Sequence, residues 1–220
     1  MLINYRKKLD DIENNLIQMI NNIVRANKCM LKATRENSFA FDECQNSLKS
    51  ISDLAHTVDN SVLSTLALFS PEAKDLRELV AILKITNEVS RAKSNIKNYG
   101  LELKKAFESG LFDAKTIEKI LLLQECSIKS FEYVSMMIPS SDVDISQKLY
   151  NSILAEEDKA DEIFALIDQS IVSSINDDSK IAIEKLEGLK AIRKLEKVTD
   201  RAVGIADLIM FAQTGGELVH

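Results

Sequence analysis

Apolar side chains recur at three- and four-residue intervals along almost the whole chain, the period of helices buried on one face. Over residues 2–36 the stripe is Ile12, Leu16, Ile20, Ile23, Val24 and Leu31, broken where Asn27 takes one turn. A second predicted helix spans about 41–69 and ends in the apolar run from Val62 to Phe69. Ser70-Pro71-Glu72 reads as the start of a third. Serine can cap free N–H groups, proline is tolerated at the first helical position, and glutamate favours the positive end of the helix dipole. That helix runs to Ser109-Gly110. Asp113 caps a fourth, which ends at Met137 before Pro139. Ser140-Ser141-Asp142 offers caps for a fifth, to about Ser174. Asn176-Asp177-Asp178-Ser179 separates it from a sixth, about 180–213, closed by Gly215-Gly216. Gly188 and Gly204 inside the sixth cost roughly 1 kcal/mol each against alanine without ending the pattern.

Six helices, three on each side of residue 110, point to an internal duplication. With Leu83-Lys84 laid over Leu189-Lys190, Val89 falls on Leu195 and Arg91 on Lys197, whereas Ile82 falls on Gly188. The expected fold is all-α: two tandem three-helix bundles, residues 1–110 and 111–220, elongated, with short connections between antiparallel neighbours. Composition agrees. There are only two prolines and six glycines, none of the latter before Gly100, too few for the turns of sheets and hairpins. With 45% hydrophobic and 28% charged residues, the chain can bury enough apolar surface to offset its ordering entropy. No run approaches the roughly 18 apolar residues of a membrane span, and the first residues do not read as a signal peptide. Three cysteines without a CxxC spacing are expected to be reduced core thiols in a cytoplasmic protein. A net charge of −6 argues against general nucleic-acid binding.

Familiar catalytic sets are missing. His56 and His220 are the only histidines, which leaves no basis for a histidine triad, and no glycine-rich phosphate loop occurs. His56 is expected at the surface or at its boundary with the core. Acidic spacing is the informative feature. Glu157 and Asp161 are four apart on the fifth helix, and Glu196 and Asp200 four apart on the sixth. Such pairs share a helix face and repel. Two of them on adjacent helices would offer an oxygen cage for iron, manganese, magnesium, zinc or calcium. Asp207 continues the sixth-helix line. Against this, Ile192, Leu195, Val198, Ala202, Ile205 and Ile209 define that helix's apolar face, and the Glu196–Asp200 line lies roughly opposite, as a solvated face would. A buried di-metal site of the ferritin type would want Glu-x-x-His, which no helix has. Lys159 and Lys197 are expected on other sides of their helices. With no histidine near, hydrolysis through an activated water has no base, and the chain is expected not to be an enzyme.

Three segments carry a family resemblance. Phe69-Ser-Pro-Glu-Ala-Lys-Asp-Leu-Arg-Glu-Leu-Val80 resembles the start of the third helix in PhoU-type proteins, accessory regulators of phosphate transport. Leu195-Glu-Lys-Val-Thr-Asp-Arg-Ala-Val-Gly-Ile-Ala-Asp207 resembles that family's Glu-Arg-Ile-Gly-Asp-His-Ala segment. Phe211-Ala-Gln-Thr-Gly215 is similar to its ending, and Glu157-Asp-Lys-Ala-Asp161 to its acidic motif on the preceding helix.

The resemblance implies duplicated three-helix bundles and surface metal clusters on Glu/Asp-x-x-x-Asp motifs. It also implies negative control of phosphate uptake and of the phosphate-starvation regulon. The partners would be the ABC transporter ATPase (PstB) and the sensor kinase (PhoR). A cytoplasmic homodimer is expected, touching the membrane only through the transporter. Metal ligands carry over to Glu157, Asp161, Glu196 and Asp200, with Asp207 a weaker fifth. The first repeat departs: Ser90 and Ser94 replace its third-helix carboxylates, and Lys49 sits four before Asp53. The first bundle is therefore expected to hold no metal. The departure keeps two alternatives open, a diverged paralogue regulating another transporter and a metal-binding helical protein.

Overall fold

Capping chemistry sets several of the helix ends. A computed structural model describes residues 2–36, 44–175 and 179–215. Its long helices are α1 (Leu2–Arg35), α2 (Ile51–Phe69), α3 (Ala73–Glu108), α4 (Ala114–Met137), α5 (Val143–Ser173) and α6 (Ser179–Thr214), with a short helical turn, Asn46–Lys49, before α2. No strand occurs among the described residues. The expected start of the second element at 41, the link Asn176-Asp177-Asp178, Gly216 and His220 lie outside them. The Asp113 carboxylate accepts from the Thr116 N–H at 2.7 Å, and that of Asp142 from the N–H groups of Asp144 at 2.9 Å and Ile145 at 3.2 Å. Each satisfies donors that the first helical turn leaves free. Gly110 (φ 64) and Gly215 (φ 77) terminate α3 and α6 in the left-handed region glycine favours.

The start of α3 corrects the sequence reading. Ser70 is not its cap. It adopts φ 44, ψ 64 and ends α2, while Glu72 occupies the N-cap of α3 without a side-chain bond. The chain needs a left-handed residue to leave α2 before α3 can begin, at about 1 kcal/mol for a non-glycine.

Helices α1, α2 and α3 pack on one another, as do α4, α5 and α6, and two antiparallel seams join the groups. The longer seam pairs α3 with α6, each of 36 residues or about 54 Å. Arg77 lies beside Gly215, Glu88 beside Gly204, and the loop residues Leu111 and Phe112 beside Gly188. The bounds of α3 and α6 are offset by 106 residues at both ends, the offset that aligns Leu83 with Leu189. Gly188, the misfit in that alignment, has a local cause. A β-carbon there would sit 2.8 Å from both Leu111 Cδ2 and Phe112 Cζ.

The second seam, α1 with α4, is polar. Asn27 Nδ2 donates to Ser127 Oγ at 3.0 Å, Gln124 Nε2 to Thr34 Oγ1 at 3.1 Å, and Ser135 Oγ to Asn21 Oδ1 at 3.1 Å. The break in the α1 stripe at Asn27 is thus a buried inter-helix contact, 1% exposed. Ion pairs Lys28–Glu132 (2.6 Å) and Arg35–Glu125 (3.2 Å) flank it near solvent. The buried apolar residues of both halves form one continuous cluster. No helix among the described residues is long and apolar enough to cross a membrane.

The cysteines also depart from expectation. Cys29 and Cys44 form a disulfide, Cα atoms 5.2 Å apart, and Cys126 is free and buried. The return of the chain after α1 makes the pair, a tertiary contact that no local spacing announces. Closing a loop of this size stabilises by about 3 kcal/mol.

Asn27→Ala leaves the buried Ser127 hydroxyl without its donor and should cost about 1–3 kcal/mol in urea unfolding. Adding Ser127→Ala should cost less than the sum of the single changes.

Candidate metal centre

The five predicted ligands divide into a trio, a buried neighbour and an outlier. Helix α5 buries Ile153, Ala160, Phe164 and Ile167, which turns the Glu157–Asp161 edge toward α6. Helix α6 presents Asp200 to it. One carboxylate oxygen from each of Glu157, Asp161 and Asp200 lies within 4.8 Å of the others. It is the one such acidic group among the described residues.

Glu196 stands one turn before Asp200 and is only 6% exposed. The solvated-face reading of this line is therefore wrong. Helix α6 is packed by α3, α4 and α5 together, so its buried arc is wider than its apolar stripe and takes in Glu196 and Thr199. Buried oxygens Glu196 Oε2 and Asp200 Oδ1 have no hydrogen-bond partner. Burial pushes the Glu196 carboxyl above its ordinary range, helped by Asp200 and opposed by Lys197 and Arg193. Burial also raises Glu157, followed by the charges of Asp161 and Asp200.

Asp207 lies two turns on, about 10 Å along the helix from Asp200. Its Oδ1 accepts from the Tyr150 hydroxyl at 2.7 Å, a bond that pushes the Tyr150 phenol up to about 12. It lines the α3–α6 groove near Lys84 and Arg91, a groove that Asp200 also borders.

Two cations stand at the site. Lys197, expected to point away, pairs with Asp200 at 3.4 Å. The Arg193 guanidinium carbon lies 5.2 Å from the centre of the Phe164 ring, bridging α6 to α5. Spacing carries a signal for both, Lys197 at i, i+3 from Asp200 and Arg193 at i, i+3 from Glu196. His56 is exposed, as expected.

The donor set fits a hard cation. It supplies only carboxylate oxygens, which suit magnesium, calcium, manganese or iron better than soft metals, and two of its buried oxygens lack any donor. The α2–α3 groove offers no counterpart among the described residues. There Lys93 Nζ donates to Ser52 Oγ, and Ser94 Oγ donates back to the Ser90 carbonyl at 3.0 Å. An ammonium thus bridges α3 to α2 in this groove.

No protein-family model matches the chain. Curated relatives do. The phosphate-specific transport system accessory protein PhoU homolog 1 of Methanothermobacter thermautotrophicus is 23% identical over 215 residues, spanning 96% of this chain and 94% of that protein. The PhoU homolog of Caulobacter vibrioides is 25% identical over 167 residues, 75% of this chain and 70% of its own. Among solved structures, the phosphate transport system regulatory protein PhoU of Streptococcus pneumoniae superposes with a TM-score of 0.79 at 16% identity, over 98% of this chain and 99% of that one. PhoU of Pseudomonas aeruginosa gives 0.71 at 18% identity, over 98% of both. These superpositions establish the same helical fold.

A raised acid is favoured protonated in the folded state, so its contribution to stability is present below its ordinary value and lost as pH rises above it. Without metal, stability should therefore fall as pH rises beyond the ordinary carboxylate range near 4.5. Glu196→Gln should flatten that fall and raise unfolding stability near pH 7 by about 1 kcal/mol, read from paired urea titrations.

Proposed function

We infer that the chain is PhoU-like: likeness in sequence over 96% of its length and in fold over 98% supports its assignment to the PhoU family. It acts as an accessory regulator of phosphate transport, binding other proteins and performing no chemistry. In this reading it works in the cytoplasm, as a homodimer, between the phosphate transporter ATPase (PstB) and a sensor kinase (PhoR), restraining uptake and the starvation response when phosphate is plentiful. It chooses between partners through differential affinity for their states. The observation that carries the reading is the near full-length match to a phosphate transport accessory protein.

The carboxylates of Glu157, Asp161 and Asp200, with Glu196 behind them, hold a hard cation on the second bundle. A bound cation there would offset the repulsion among groups that are costly to bury together. Glu196→Ala with Asp200→Ala should abolish metal uptake, measured by elemental analysis after dialysis, and leave helicity unchanged by circular dichroism. Full metal content in the double variant would sink the ligand assignment.

Two observations favour a second reading, a diverged paralogue serving another transporter. Arg201, where the resembling family segment has histidine, is committed to Glu88 on α3 at 2.9 Å, and the first bundle carries Lys93 in its groove. Affinity capture from cells grown in high and then low phosphate, read by mass spectrometry, separates the two. The adaptor reading expects the phosphate transporter ATPase or the sensor kinase, in amounts that change with phosphate. Recovery of a different transporter supports the paralogue instead.

A further inference from the structure

A second charged site lies at the far end of the inter-helix seams. The first turns of α1 and α3, the α4–α5 loop and the last turn of α6 enclose a cleft of about 550 Å³. Leu9, Leu16, Ile82, Ile85 and Ile209 wall it with hydrocarbon. Its charged groups come from two helices. Arg6, Asp10 and Glu13 belong to α1, and Lys74, Asp75 and Glu78 to α3. The loop and α6 add only uncharged polar groups, Ser140, Ser141 and Gln213. Four carboxylates therefore face two cations.

Glu13 and Glu78 are half-buried, and no ion pair closes on either among the described residues. Burial, then the charge of Glu78, pushes the Glu13 carboxyl to about 7, and burial, then Asp75, raises Glu78. Tyr5 lines the same cleft and is 9% exposed, yet its buried hydroxyl has no hydrogen-bond partner. Burial, then the charges of Asp75 and Glu78, pushes the Tyr5 phenol up to about 12. An edge contact with Phe69, ring centres 5.7 Å apart, holds the ring.

We propose that this cleft binds a primary alkylammonium, its nitrogen between the Glu13 and Glu78 carboxylates and the Tyr5 hydroxyl, its carbon chain along the Leu9, Leu16 and Ile82 wall. Three N–H donors meet three acceptors. An anion would meet a surplus of negative charge. A bare metal ion would leave most of the volume and all of the apolar wall unused, since such ions demand close oxygen shells. A cavity of this size falls in the usual range of small-molecule sites. The site is separate from the α5–α6 carboxylates and stands whether or not those hold metal.

The test is a proton–nitrogen chemical-shift titration of the full chain with n-hexylammonium at pH 8, against 1-hexanol. Saturable shifts over residues 5–13 and 74–78 with the ammonium alone are expected. Glu13→Gln and Glu78→Gln, isosteric changes that relieve repulsion, should each weaken binding about tenfold, and Tyr5→Phe less. Affinity should fall at pH 6 as Glu13 takes up its proton. A blocked peptide with one central lysine is the second probe. Tighter binding than hexylammonium places the ammonium on a partner chain, and weaker binding places it on a free amine. Non-saturating shifts, equal response to hexanol, or unchanged affinity in both glutamine variants would overturn the proposal.

Discussion

The antiparallel contact between α3 and α6 is the constraint on which the other features rest. Two helices of 36 residues lie side by side from Arg77 and Gly215 to Ala106 and Glu184, and side chains must leave room for that approach. Glycine at 188 admits Leu111 and Phe112 at one end, and Gly204 lies against Glu88 near the middle. There Glu88 bridges the seam, accepting from Arg201 at 2.9 Å and from its own helix's Arg91 at 3.0 Å. Because α4 and α5 also cover α6, this helix is enclosed on more sides than an amphipathic surface helix would be. Its apolar stripe is narrower than its buried arc, and the difference is filled by Glu196 and Thr199.

That enclosure gives the candidate centre its character. Carboxylates on an open face would be solvated and cheap. Here Glu196 is buried beside Asp200, each with an oxygen lacking a partner, and α5 brings two more carboxylates to the same edge. Lys197 and Arg193 offset part of the charge. The first half repeats the α6 helix as α3, with bounds offset by 106 residues, but serine replaces carboxylate at 90 and 94 and Lys93 reaches across to Ser52. The helix bounds thus repeat between α3 and α6, whereas the carboxylates do not.

Local signals were the legible ones. Asp113 and Asp142 were readable as caps and Gly110 and Gly215 as stops, because each acts within a few residues of itself. The carboxylate spacings were legible for the same reason. What escaped needed contacts between distant segments. Ser70 looks like a cap until the path out of α2 demands a left-handed residue. Cys29 and Cys44 look unrelated until the chain turns back after α1. Glu196 looks solvated until three helices pack on α6. Asp207 continues a helical line on paper, but Tyr150 from α5 claims it two turns away from the trio. Asn27, an apparent flaw in a stripe, is the polar lock between α1 and α4.

The account's central claim, a regulator that restrains phosphate uptake, is tested most directly by deleting the gene and measuring labelled phosphate uptake in phosphate-rich medium. Uptake that rises in the deletion and returns to the parental rate when the intact gene is restored is the predicted result. Unchanged uptake in both phosphate-rich and phosphate-starved cells would contradict it, leaving a helical bundle with the fold of these regulators and a different task.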